Sequence, residues 1–197
     1  MIIDLQKIPI VWMTTTNDFK KWNRIESMFN RLELTNTTKH CSDRMKHRSV
    51  GCATAHRRAN ESVEDILPAL ILEDDVTETE HFTSIIEVPD DADALYLGHS
   101  TWSSAKTGIS QAKWEPVNDD IIRVKYMRCC HAIVTISNDY LLSCRDWQTE
   151  RINHPKRRKF QDQYRASDMK NWNVYATANP FLKQVNRKTT HKSITLY

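Results

Sequence analysis

The sequence predicts a single α/β domain, one sheet with helices on both faces, and three observations carry that reading. Short apolar runs alternate along the chain with segments whose apolar residues recur every three or four positions. Several of the runs, Ala69 to Leu72 above all, are continuous rather than alternating, as in a strand covered on both sides. The 197 residues contain no repeat, low-complexity block or linker, so one domain spans residues 1–197.

The elements follow in order. Ile8 to Met13 reads as the first strand, and Thr14 to Asn17 as its loop and cap. From Asp18 to Leu34, Phe19, Trp22, Ile25, Met28, Phe29 and Leu32 give a helical period. Val50 to Ile66 reads as a second helix with Cys52, Ala55, Ala59 and Val63 on one face. Strands are expected at Ala69 to Leu72, Ala94 to Leu97, Ile121 to Tyr126 and His131 to Ile136. Ser137 and Asn138 suit the cap of a helix over Tyr140 to Cys144. A polar helix near Gln161 to Met169 and a last strand, Val174 to Thr177, complete the pattern.

Composition narrows the function. The net charge of +3 is too mild to predict nucleic-acid binding, and none is expected. Only Gly51, Gly98 and Gly108 are glycine, which excludes a glycine-rich phosphate loop. The five cysteines form no CxxC pair and read as reduced thiols. The opening segment carries Asp4 and Lys7 and does not read as a signal peptide. No run is long enough for a membrane span. A soluble cytoplasmic protein is the expectation.

The most informative stretch is Ala69-Leu70-Ile71-Leu72 followed at once by Glu73-Asp74-Asp75. Ligands of open α/β sheets bind beyond the carboxyl ends of strands. Three adjacent carboxylates repel one another, and a hard divalent cation, Mg²⁺ or Mn²⁺, relieves that. The same residues also read as a solvated acidic loop.

Several segments in order resemble glycosyltransferase family 25. Gly51-Cys52-Ala53-Thr54-Ala55-His56 is similar to its GC-x-x-SH helix, and Leu72 to Val76 to its LEDD strand end. Tyr96-Leu97-Gly98, Cys130 to Ser137, and Val174-Tyr175-Ala176 with Pro180 to Gln184 resemble further segments. The resemblance covers nearly the whole chain. It departs at the first strand's loop, where Met13-Thr14-Thr15-Thr16 stands in place of an Asn-Leu-Asp-Arg-like sequence.

The resemblance implies a GT-A-like (Rossmann-like) mixed sheet flanked by helices. It implies a metal-dependent, inverting transfer of a sugar, galactose or glucose by default, from a nucleotide-sugar donor, a UDP-sugar by default. The acceptor would be a hydroxyl on a glycan, lipid-linked or protein acceptor. Asp75 would be the first metal ligand, with Asp74 beside it and Glu73 on the ribose or in the loop. His191 or His131 would add a late ligand, though His131 also reads as a core histidine. Asp162 would be the general base, with Asp168 as the other choice. Thr14, Thr15, Arg24, His56, Arg57 and Lys192 would face the donor. Trp102 and Trp114 read as a sugar-stacking wall or as local core. Other classes stay open: a metal-dependent nuclease or phosphoryl-transfer enzyme, and a non-catalytic sugar-binding module.

Overall fold

The computed structural model describes residues 1–42, 45–99, 112–156 and 161–185. Its centre is an eight-stranded mixed sheet. The strands are β2 (Ile10–Thr15), β3 (Thr37–Ser42), β4 (Ala69–Glu73), β7 (Ala94–Tyr96), β8 (Lys113–Pro116), β9 (Ile121–Tyr126), β10 (Ala132–Thr135) and β11 (Val174–Thr177). They lie in the order β3-β2-β4-β10-β7-β11-β9-β8. β2 runs parallel to β3 and β4, and β7 parallel to β11. β10 is inserted antiparallel between β4 and β7. Two small antiparallel sheets stand apart: β1 (Ile2–Asp4) with β6 (Ile85–Glu87), and β5 (Val76–Glu78) with β12 (Leu182–Gln184).

Strand alternation divides the apolar side chains between two faces. Ile10, Trp12, Leu70, Leu72, Leu95 and Val134 pack on helix α1 (Phe19–Arg31) through Ile25, Met28 and Phe29. Val11, Met13, Ala69 and Ile71 point the other way, onto Ala59 of α2 (Arg48–Glu61) and Leu141 of α3 (Asn138–Asn153). Tyr96, Ile122, Val124 and Ile133 continue that second face under Tyr140 and Cys144 of α3 and Met169, which opens a 3-10 turn after α4 (Gln161–Asp168). Helices therefore cover both faces, as the continuous apolar runs require. Each fully buried Leu or Ile contributes about 1.5–3 kcal/mol.

Two helices end differently from the sequence pattern. α1 stops at Arg31 rather than Leu34. Glu33 takes a left-handed φ of 57°, and the Leu34 and Glu33 amides bond the Phe29 and Asn30 carbonyls at 2.9 and 3.4 Å. That is a Schellman stop built without glycine, closed by the burial of Leu34. α3 starts at its expected cap, where Ser137 Oγ accepts from the Tyr140 amide at 3.3 Å, but runs on to Asn153. Its inner face continues as Gln148 and Arg151, which are buried and polar. Gln148 Oε1 accepts from Asn60 at 3.1 Å, and Arg151 donates to the His154 and Pro155 carbonyls. Among the described residues no helix is long and apolar enough to cross a membrane.

Candidate functional site

The strand order brings the distant segments to one edge. β2 and β4 run parallel with Met13 opposite Glu73, so Thr14, Thr15 and the three acids emerge together. β10 is antiparallel with Ala132 opposite Leu72, which sets His131 at the same edge. β7 runs on through Leu97, whose amide bonds the Ala132 carbonyl at 3.1 Å, to Gly98 beside them.

The acids then part. Glu73 and Asp75 share one side, and Asp74 takes the other. Asp74 Oδ2 accepts from Thr14 Oγ1 at 2.7 Å, and Oδ1 accepts from Lys21 Nζ at 2.8 Å. Trp22 Nε1 donates to the same Thr14 hydroxyl at 2.9 Å, and Arg24 donates to the Asp74 carbonyl at 2.6 Å. Asp74 is buried. Here Asp74 anchors α1 to the strand end, and Thr14 is held in the same anchor. Thr15 Oγ1 and Arg24 Nε differ, being buried polar atoms with no hydrogen-bond partner among the described residues.

Glu73 and Asp75 converge on a single group, the Gln184 amide. Its Nε2 lies 3.2 Å from Glu73 Oε2 and 3.3 and 3.4 Å from the Asp75 oxygens. Gln184 is delivered by β12, which pairs with β5 directly after the acidic turn, Gln184 opposite Val76. The Val185 amide also bonds the Asp75 carbonyl at 2.6 Å. The other Glu73 oxygen, Oε1, lies 3.0 Å from Nε2 of buried His56.

His56 comes from α2 together with Cys52, one turn earlier. The donor atoms of Cys52, His56 and Glu73 all lie within 4.8 Å of one another. Burial pushes the Cys52 thiol pKa up, and the charges of Glu73, Asp162 and Asp75 add to the effect. Asp162, in the first turn of α4, is therefore an electrostatic neighbour of the cluster. Burial also raises the Asp162 carboxyl above the ordinary aspartate value, and the Glu73 charge adds to this, against a lowering by the Arg128 cation. An ionised Asp162 is thus a stronger base than a free carboxylate.

Other expected residues lie elsewhere. Burial alone would raise Asp168, but donors from Trp172 (2.8 Å), Asn171 (2.8 Å), Ser143 (2.9 Å) and Trp147 (3.3 Å) hold it below the ordinary value. Asp168 thus ties α3 to the turn after α4. His131 is a core histidine, 1% exposed, with Cys129 Sγ 3.1 Å from Nδ1 and its other ring edge against Gly98. Arg57 is held by Glu61 at 2.8 Å on α2. Trp114 packs at the rim of the second core face. His191, Lys192 and Trp102 lie outside the described residues.

Three functional candidates were not assigned a site role from the sequence. Lys21 and Gln184 are ordinary polar residues until the fold sets them beside Asp74 and Asp75. Cys52 read as one position of an apolar helix face and as part of the GC-x-x-SH-like segment, and its i, i+4 spacing to His56 could have suggested a pair. No protein-family model and no curated protein matches the chain.

Proposed function

We propose that the protein is a metal-dependent glycosyltransferase, moving a sugar from a nucleotide-diphosphate donor to an acceptor hydroxyl. One observation carries the reading: Glu73 and Asp75 converge at the carboxyl end of a central strand, beside the electrostatically coupled carboxyl of Asp162. The donor set fits a hard divalent cation, Mn²⁺ or Mg²⁺. Two carboxylates meet at one point, and the Gln184 amide offers a third oxygen when its end group turns over. When bound, the cation supplies charge neutralisation on the diphosphate leaving group.

The chain's own residues supply the rest. Thr15 Oγ1 and Arg24 Nε are buried polar atoms at this edge with no hydrogen-bond partner among the described residues. Lys21 and Arg24 add positive charge at the same strand end, on Asp74. Asp162 takes the proton from the acceptor hydroxyl as it attacks, a task suited to a carboxylate made more basic by burial.

The test is a panel of UDP-, GDP- and TDP-sugars with Mn²⁺, read as nucleotide release and as thermal stabilisation. At least one donor should be bound and turned over, and Asp75→Ala should abolish both responses. Stabilisation by oligonucleotides alone, or full Mn²⁺-dependent nucleotide binding by Asp75→Ala, would overturn the reading.

A further inference from the structure

We propose that Cys52, His56 and Glu73 form a binding site for one thiophilic divalent cation of the Zn²⁺ class, with a donor set unlike the all-oxygen pair of Glu73 and Asp75. The site holds whatever reaction the protein performs.

Cys52 and His56 stand four residues apart on α2 and so present sulfur and nitrogen on one face. Glu73 meets them from the end of β4, with Oε1 at 3.0 Å from His56 Nε2. Zn–S bonds of about 2.3 Å and Zn–N or Zn–O bonds of about 2.0–2.2 Å put tetrahedral ligand atoms about 3.3–3.7 Å apart. The three donor atoms, all within 4.8 Å of one another, reach that spacing through side-chain adjustment alone. A sulfur, an imidazole and a carboxylate together select a borderline-soft ion over Mg²⁺. Three protein ligands leave a fourth position open, as in sites where zinc keeps a water.

Charge favours the same conclusion. Glu73, Asp75 and Asp162 gather negative potential at the Cys52 sulfur. A cation bound there replaces the thiol proton, which leaves to solvent, so one proton is released per cation bound. His56 is buried and its Nε2 already points at Glu73, so the ring needs no reorientation to ligate.

The experiment titrates the chelator-stripped full chain with Co²⁺ alone. The expected result is a near-ultraviolet thiolate-to-cobalt absorption that saturates at a single equivalent and is displaced by Zn²⁺ but not by excess Mg²⁺. Cys52→Ser, nearly isosteric, should remove the band and weaken Co²⁺ binding by more than about 100-fold, with circular dichroism and melting unchanged. Cys41→Ser, at an exposed position of β3, should keep it. Absence of the band in the wild-type chain, its survival in Cys52→Ser, or its loss in Cys41→Ser would each overturn the proposal. None of these outcomes depends on nucleotide sugars, so failure here is distinguishable from failure of the transferase reading.

Discussion

Replacing Gly98 by alanine tests how tightly the strand edge is packed. A Cβ at Gly98 would stand 1.9 Å from His131 Nε2, 2.7 Å from Cδ2 and 2.8 Å from the Leu182 carbonyl oxygen. Ordinary contact begins at 3.4 Å, so the imidazole must retreat by about 1.5 Å. It has little room to do so. His131 is 1% exposed and Cys129 Sγ sits against its Nδ1. Overpacking of this kind costs about 1–3 kcal/mol, and a pinned ring with a fixed carbonyl argues for the upper end. Alanine returns about 0.4–1 kcal/mol by restricting the unfolded chain. The net loss is about 2 kcal/mol, or roughly 4–8 °C in Tm for a chain of this length. Calorimetry of the single variant and of Gly98→Ala in a His131→Ala background checks the cause. Trimming the ring should cut the alanine's cost by at least about half, a coupling near 1 kcal/mol. A Tm within about 1 °C of wild type, or strictly additive losses, would show that the His131 ring does not oppose a side chain at this position.

Two further predictions concern carboxyls. Asp162 has a raised folded-state pKa, so the unfolded chain releases its proton first as pH rises and stability falls between the ordinary value of 3.8 and the folded value. Asp162→Asn should therefore stabilise the protein at pH 7, by denaturant titration, with the gain fading below about pH 4, while sugar transfer falls far more than donor binding. Loss of stability at neutral pH would show the charge to be structurally required. Asp168 has the opposite sign. Its stabilising contribution is present above 3.8 and is lost as pH falls through its lowered folded value. Asp168→Asn should cost of order 2 kcal/mol at pH 7 by urea unfolding, and the difference should shrink in acid. Trp147 and Trp172, which bond this carboxylate, provide the fluorescence signal, and a pH-independent difference would count against the assignment.

How much of this was legible depended on whether a residue's role was local. The central strands were readable because burial on both faces leaves unbroken apolar runs. Ile121 to Tyr126 and Val174 to Thr177 match the observed β9 and β11. β3 was not readable, since a parallel edge strand of sequence TTKHCS is half solvated and shows no apolar pattern. The second half of α3 was hidden for a different reason: Gln148 and Arg151 fill inward positions with polar groups, bonded there to Asn60 and to the His154 and Pro155 carbonyls. At the site, the acidic strand end announced itself, but its division did not. Side-chain alternation sends Asp74 to α1, while Glu73 and Asp75 face Gln184, and the sequence alone treats the three as one cluster. The pairing of Cys52 with Glu73 requires α2 to lie across β2 and β4, a tertiary fact with no local trace.

The small sheet of β5 and β12 has a kinetic meaning. Asp75 and Gln184 are 109 residues apart, so closing that loop from an open chain costs about 4 kcal/mol in entropy. Once β11 has docked against β7, residue 177 already lies at the sheet, and only a short tether remains to be drawn in. The acidic turn is therefore closed after the sheet is built, and the carboxylates repel each other without their amide until then. Low contact order governs the first half of the sheet, where β2, β3 and β4 follow one another along the chain. The site belongs to the slow half, so conditions that trap late folding intermediates would yield molecules with an intact sheet and an unfinished site.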